Sequence, residues 1–210
     1  MDNDEHLRDE RLCVFLIDDD ASVRDSLSLL LGIRGYATRV FDSADAFLHA
    51  AGEGGDAWAG CVLTDIRMPG LSGLDLQRVA GERGMPLPFV VMSAHGDAAA
   101  ARQAFRQAAI DFLEKPFDDA DLFAAIEQAF ARERERLAAV RREHTVSGRL
   151  ASLTERECEV CDLMVQGLSN HEIAARLGIS HRTAQVHRGR VMQKMDAGSL
   201  AALIAACREG

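Results

Sequence analysis

Residues 12–20 read LCVFLIDDD, an apolar run that ends directly in three aspartates. Six consecutive apolar residues are typical of a β-strand that is covered on both faces, as in a parallel sheet. The next stretch, residues 21–34, places apolar side chains at helical intervals and stops near Gly35. The segment therefore predicts one β/α unit, with carboxylates at the carboxyl end of its strand.

The same pattern recurs four more times before residue 130. Further short apolar runs and helical patterns predict strands over residues 36–41, 60–64, 88–92 and 110–113, and helices over 43–51, 74–83, 98–108 and from 119 onward. This strict alternation predicts an α/β domain over residues 11–130, built on a five-stranded parallel sheet with helices on both faces. In such folds functional residues lie at the carboxyl ends of the strands.

Polar side chains stand at four of these predicted strand ends. They are Asp18, Asp19 and Asp20 after the first strand, Asp65 after the third, Ser93 after the fourth and Lys115 after the fifth. Any one of them alone would fit a turn or a helix cap. Carboxylates crowded at one edge repel unless a cation neutralises them, and oxygen ligands suit Mg²⁺. A carboxylate, a divalent metal, a lysine and a hydroxyl are the parts that phosphoryl transfer needs.

Four stretches of this region resemble the receiver domain of two-component response regulators. They are IDDD at 17–20, TDIRMPGLSG at 64–73, MSAHG at 92–96 and DFLEKPF at 111–117. The resemblance covers about residues 11–130 and implies a sheet with the strand order 2-1-3-4-5. It also implies that Asp65 is the phosphoacceptor.

The same resemblance implies a metal site and a switch. Mg²⁺ or Mn²⁺ would be held by Asp18, Asp19, Asp65 and the backbone carbonyl of Arg67.

The remaining pocket residues would respond to the phosphoryl group. Lys115 would pair with it and Ser93 would donate a hydrogen bond to it, and Phe112 would turn inward when Ser93 moves. The peptide bond between Lys115 and Pro116 is expected to be cis, and cis bonds are nearly confined to proline.

Charge is distributed unevenly along the chain. Residues 1–130 carry 11 basic and 23 acidic side chains (net −12), residues 131–149 carry 6 and 3 (net +3), and residues 150–210 carry 7 of each. The middle segment predicts a solvated helical linker that continues the preceding helix and breaks at Ser147 and Gly148. A nucleic-acid surface in the last segment would have to come from local clustering of basic residues.

Residues 150–210 predict an all-α domain of four short helices, because they contain no strand pattern. Capping boxes at 154–157 and 169–172 mark two helix starts, and Gly178 permits the tight turn of a helix-turn-helix. Ser180 would cap the following helix, whose exposed face carries basic and amide side chains suited to phosphates and base edges.

This region resembles the LuxR-type DNA-binding domain through LTERE at 153–157, GLSNHEIA at 167–174, LGIS at 177–180, RT at 182–183 and VH at 186–187. With the receiver, the chain is similar to FixJ-type response regulators along nearly all its length. The resemblance implies two sets of DNA contacts. Bases would be met by Gln185 and Val186, with Arg188 as a candidate, and phosphates by Ser169, Asn170, Arg182, Thr183, Arg190 and Lys194.

The composition excludes other classes of protein. The chain has 210 residues, is 48% hydrophobic and carries a formal net charge of −9, as expected of a soluble globular protein. No apolar run approaches the ~20 residues of a membrane-spanning helix, so a cytoplasmic protein is expected. Five cysteines without an export signal argue against a disulfide framework. Cys158 and Cys161 are interpreted as positions on an amphipathic helix, with redox or metal chemistry as the alternative.

The sequence therefore predicts a two-component response regulator. A sensor histidine kinase would phosphorylate Asp65, and the chain would form a homodimer, bind promoter DNA and act on transcription by RNA polymerase. The receiver would catalyse only its own phosphorylation and dephosphorylation.

Two other functions stay open at this point. One is a DNA-binding regulator that works without phosphorylation. The other is a phosphatase of the haloacid-dehalogenase type, because Asp18 and Asp20 after the first strand resemble that family's nucleophile motif; Asp18 would then be the nucleophile.

Overall fold

The computed structural model describes residues 12–54, 58–94, 104, 106 and 109–209. The chain divides into two compact units, residues 1–135 and residues 136–210. Within the described residues, no helix has both the length and the apolar character that crossing a bilayer requires.

Strands and helices alternate in the first unit, as predicted. The strands are β1 (Cys13–Ile17), β2 (Ala37–Phe41), β3 (Gly60–Asp65), β4 (Phe89–Ala94) and β5 (Asp111–Lys115). The helices are α1 (Ala21–Ile33), α2 (Ala44–Gly54), α3 (Gly73–Glu82) and, after β5, α4 (Asp119–Ala151). Ala104 and Arg106 are helical; the rest of the predicted helix 98–108 lies outside the described residues.

The five strands form one parallel sheet in the order β2-β1-β3-β4-β5, which confirms the predicted topology. The register pairs Ile17 with Thr64, and Asp65 with Met92. Ala94 in turn pairs with Lys115. The carboxyl ends of β1, β3, β4 and β5 therefore lie at one edge of the sheet.

The sheet is buried where the sequence is continuously apolar. All six residues of β3 are buried, whereas β2 lies at the edge of the sheet and is largely exposed. On one face an aromatic cluster fills the core, with Phe15 stacked on Trp58 at a centroid distance of 4.6 Å and Phe47 edge-on to Phe15 at 6.0 Å. These aromatic rings pack in one core cluster with Ile17 of β1 and Val62 of β3.

The second unit is all-α and contains the four predicted short helices. They are α5 (Glu155–Val165), α6 (Asn170–Leu177), α7 (His181–Lys194) and α8 (Leu200–Glu209). Their apolar faces share one core, in which Val160, Met164, Ile173, Val191 and Leu203 are fully buried.

The predicted break at Ser147 and Gly148 is wrong, because α4 continues through both residues to Ala151. Val146 is buried in the core of the second unit, and Leu150 packs against the same core. Burying these side chains outweighs the 0.5–1 kcal/mol that a glycine typically costs inside a helix.

A glycine at the start of α3 is required by close packing. A Cβ atom on Gly73 would lie 2.2 Å from the backbone oxygen of Asp65, a distance that carbon and oxygen atoms do not tolerate. The Gly73 amide also donates a hydrogen bond of 3.1 Å to the carbonyl of Ile66. The glycine thus lets the N-terminus of α3 sit directly against the end of β3.

We predict that Gly73→Ala lowers the free energy of unfolding by about 2 kcal/mol or more, because backbone atoms must move to relieve the clash. Urea denaturation of the two proteins measures this difference. Gly81→Ala on the same helix is the matched control, since a Cβ there meets nothing within 4 Å. The control should be neutral or slightly stabilising, and equal losses in both variants would contradict the packing argument.

Candidate functional site

The carboxyl ends of three strands bring an acid pair and a lysine together. Asp18 follows β1, Asp65 ends β3 and Lys115 ends β5. Asp18 and Asp65 are buried, with 2% and 8% of their surface exposed. Buried carboxylates are costly unless a cation or hydrogen-bond donors compensate them.

The Lys115 ammonium lies between the two carboxylates. Its Nζ is 3.0 Å from Oδ2 of Asp18 and 2.5 Å from Oδ1 of Asp65. Partial burial lowers the pKa of Lys115, but the hydrogen bonds and charges of Asp65 and Asp18 outweigh this effect, so the pKa is raised overall. The lysine therefore stays charged and neutralises part of the acid pair.

Backbone amides satisfy the remaining carboxylate oxygens. The amide of Asp20 donates to Oδ1 of Asp18 at 2.9 Å, and the amide of Arg67 donates to Oδ2 of Asp65 at 2.6 Å. Each buried acid is thus held by one charged and one neutral donor, which fixes the orientation of both carboxylates.

The three consecutive aspartates have different surroundings. Asp18 is buried in the lysine network, whereas Asp19 is exposed. Asp20 is the N-cap of α1 and accepts hydrogen bonds from the hydroxyl and the amide of Ser22, at 2.6 and 2.8 Å. The hydroxyl bond is the main reason that the pKa of Asp20 is lowered. Asp20 therefore serves as a helix cap, an alternative that the sequence left open.

The donor set suits a hard divalent metal, since Asp18, Asp19, Asp65 and the Arg67 carbonyl all offer oxygen atoms. Among the described residues, however, no three His, Cys, Asp or Glu side chains are grouped closely enough to hold an ion. Asp19 points to solvent, and Lys115 already lies between the other two acids.

Ser93 and Phe112 lie on the strands next to Asp65. Ser93 is fully buried in β4, and its hydroxyl donates to the carbonyl of Ala94 at 3.1 Å. Phe112 is half-buried in β5 and packs against a small core that includes Val91 and Ala104. The Lys115–Pro116 peptide bond is cis, as expected.

The second unit contains the predicted helix-turn-helix, formed by α6 and α7. Both predicted capping boxes form. In each of them the cap side chain accepts from the backbone of the glutamate, and the glutamate side chain accepts from the backbone of the cap residue, for Thr154 with Glu157 and for Ser169 with Glu172. Gly178 ends α6 in the left-handed conformation (φ 65°), which a residue with a Cβ adopts only at a cost.

Helix α7 has one buried and one exposed face. Ala184, Val191 and Met195 are buried in the core, as the sequence predicts. The exposed set comprises Arg182, Thr183, Gln185, Val186 and Arg190. This face joins two guanidinium groups, an amide and an apolar side chain, which can contact phosphates and base edges.

The other predicted DNA contacts make bonds inside the domain. Arg188 donates to the carbonyl of Leu168 at 3.2 Å, so this arginine fastens α7 to the end of the loop before α6. Ser169 uses its hydroxyl to accept from the Glu172 amide, and Asn170, the first residue of α6, is half-buried.

Lys194 is held at two points. Its ammonium donates to Oε2 of Glu157 at 2.6 Å and to the carbonyl of Ser152 at 2.8 Å. This pair tethers the end of α7 to the start of α5. No sequence pattern reveals it, because the two residues are 37 positions apart.

The same pair makes the stability of the protein sensitive to acid. Bonds from Lys194 and from the Thr154 amide hold the pKa of Glu157 down to about 2. A carboxylate with a lowered folded-state pKa stabilises the fold above its unfolded pKa, near 4.3, and loses that contribution as the pH falls towards 2.

We predict that Glu157→Gln lowers the melting temperature at pH 7 and that this difference disappears as the pH falls from about 4.5 to about 2. Thermal unfolding of the two proteins across that range measures it. Glu159→Gln, an exposed residue on the same helix, is the control and should show a much smaller difference. A Glu157→Gln difference that stayed constant down to pH 2 would show that Glu157 is not held ionised by Lys194.

Comparisons with known proteins match both units. Residues 14–127 match the response regulator receiver domain, and residues 151–206 match the bacterial regulatory proteins of the luxR family. The transcriptional regulatory protein FixJ of Azorhizobium caulinodans is 45% identical over 195 residues, which cover 93% of this chain and 91% of that protein. TdiR of Thauera aromatica is 43% identical over 87% of this chain and 79% of its own length.

Solved structures give the same picture. The response regulator StyR has 38% identity and a TM-score of 0.84, covering 95% of this chain and 100% of its own. Full-length FixJ from B. japonicum has 40% identity and a TM-score of 0.58, covering 95% of this chain and 97% of its own.

Proposed function

Because the chain belongs to the FixJ-type two-component response regulators, which regulate transcription, we propose that Asp65 is its phosphoacceptor and that phosphorylation there controls binding of promoter DNA. One observation carries the proposal, namely that Lys115 bonds Asp65 and Asp18 at the carboxyl edge of the sheet. This arrangement supplies a fixed carboxylate nucleophile beside a cation that can pair with an incoming phosphoryl group.

The transfer is a displacement at phosphorus. An oxygen of Asp65 attacks the phosphoryl group on the histidine of a sensor kinase, so an O–P bond forms and the N–P bond breaks, leaving its electron pair on the imidazole. Asp65 is oriented for this attack by the Arg67 amide and by Lys115. Mg²⁺ would be held by Asp18, Asp19, Asp65 and the Arg67 carbonyl once Asp19 turns from solvent towards the acid pair, and it would supply positive charge against the phosphoryl oxygens.

Phosphorylation changes the local charge by about two negative units. Lys115, which now pairs with Asp65 and Asp18, would pair with the phosphoryl oxygens. Ser93 would exchange its bond to the Ala94 carbonyl for one to the phosphoryl group, and Phe112 would move into the vacated space. Small phosphodonors would serve in place of the kinase, and hydrolysis of the acyl phosphate would reset Asp65.

The exposed face of α7 is the proposed DNA surface. Arg182, Thr183 and Arg190 would bind phosphates, while Gln185 and Val186 would meet base edges in the major groove. Two copies would bind paired half-sites as a homodimer and act on RNA polymerase at the promoter. Arg188 and Lys194, which the resemblance also implies as DNA contacts, make bonds within the domain that hold α7 in position.

We predict that Asp65→Asn abolishes phosphate incorporation from acetyl phosphate and with it the effect of acetyl phosphate on a DNA footprint. The amide is a poor nucleophile and cannot form the acyl phosphate. Asp25→Asn, an exposed acid on α1, is the control and should behave as the wild type.

The alternatives give different results in the same experiment. Incorporation that survives in Asp65→Asn but not in Asp18→Asn would support the phosphatase-like use of Asp18. A wild-type footprint that acetyl phosphate leaves unchanged would support a regulator that works without phosphorylation.

We predict that Arg182→Ala and Arg190→Ala weaken binding to all DNA sequences. Each substitution should make the slope of the logarithm of the binding constant against the logarithm of the salt concentration less negative by about 1, because each removes one phosphate contact. Gln185→Ala should change the preference among bases more than the salt slope. Arg208→Ala on α8 is the control for loss of charge. A salt slope unchanged in both arginine variants would place the DNA surface elsewhere.

A further inference from the structure

A pocket in the second unit collects three of the chain's five cysteines. It has a volume of about 420 Å³, and its lining includes Cys158, Cys161, Cys207, Leu150, Leu153 and Val165. All five cysteines are free thiols. Its described lining residues lie on α4, α5 and α8 or next to α5 and not on α7, so the exposed face of α7 does not account for it.

Two of these thiols lie on different helices that pack together and line the same pocket. Cys161 lies on α5 and is buried, with 3% of its surface exposed, whereas Cys207 lies near the end of α8 and is half-buried. Both side chains line the same pocket, and Cys207 packs against the core cluster that contains Cys161. Helix α8 packs against α5, so the contact joins the last helix to the core of the domain.

We propose that Cys161 and Cys207 form a reversible disulfide site that reacts with low-molecular-weight disulfides and locks α8 onto α5. The two thiols line one pocket from two packed helices, and Cys207 is the more accessible of them. The disulfide forms when the two sulfurs come to bonding geometry across the packed helices α5 and α8.

The exchange takes two balanced steps. The thiolate of Cys207 attacks a sulfur of oxidised glutathione, which forms a mixed disulfide and releases one glutathione thiolate. The thiolate of Cys161 then attacks the sulfur of Cys207, forming the protein disulfide and releasing the second glutathione thiolate. The protein loses two protons and two electrons, and oxidised glutathione is reduced to two molecules of glutathione.

The second step sets the rate. Burial is the main reason that the pKa of Cys161 is raised to about 12, and the neighbouring Cys207, Asp162 and Cys158 raise it further. Only a small fraction of Cys161 is therefore thiolate at neutral pH. Leu150 on α4 and Leu153 after it also line the pocket, and these apolar side chains carry no charge that would lower the pKa of Cys161.

The test incubates the full-length protein with oxidised glutathione and maps the disulfides by mass spectrometry after alkylation and trypsin digestion. We expect a link between peptide 157–176 and peptide 195–208 in the wild type and in Cys158→Ser. We expect no link in Cys161→Ser or Cys207→Ser. The rate should rise about tenfold per pH unit between pH 7 and 9, and dithiothreitol should reverse the reaction.

The oxidised wild type should also melt several degrees higher than the reduced protein, because the bond closes a long loop in the unfolded chain. A link that persists in Cys161→Ser, a mixed disulfide on Cys207 that never resolves, or bonds only between chains would each overturn the proposal. Cys158→Ser keeps both partner cysteines. A link in this variant therefore assigns the disulfide to Cys161 and Cys207 even if Cys161→Ser does not fold.

Discussion

The receiver unit depends on one ammonium group between two buried carboxylates. Lys115 comes from the last residue of β5, and its partners Asp18 and Asp65 come from β1 and β3, so a single side chain ties the carboxyl ends of three strands together. Without this cation two acids would be buried side by side at high cost. The same requirement makes the site responsive, because a new group of negative charge on Asp65 would compete with Asp18 for Lys115.

The surroundings of the acid pair show how the fold supports this constraint. Gly73 lets α3 begin against the backbone of Asp65, and the Arg67 amide holds the second oxygen of that carboxylate. The second unit has a similar arrangement. Lys194 at the end of α7 bonds the buried Glu157 in the first turn of α5, so the two helices are joined at that point. In each unit a lysine that spans distant parts of the chain secures a buried acid.

Much of this was predictable from local patterns. The five strands and their order, the capping boxes at residues 154–157 and 169–172, and the buried stripe of α7 all follow from apolar spacing, cap residues or the resemblance, and the structure confirms them. The break expected at Ser147 and Gly148 failed because helix propensity is a weak local preference. Burial of Val146 in the second core, which depends on residues far along the chain, overrides it.

The sequence alone determined which chemical groups stand at the strand ends and on α7, because the period of the side-chain pattern is a local property of strands and helices. Only the tertiary structure decided how those groups are used. It divides three adjacent aspartates into a buried acid, an exposed acid and a helix cap, and it gives Arg188 and Lys194 hydrogen bonds within the second unit. It also brings Cys161 and Cys207 into the lining of one pocket. These outcomes depend on contacts between residues distant in sequence, which only packing of the whole chain brings together.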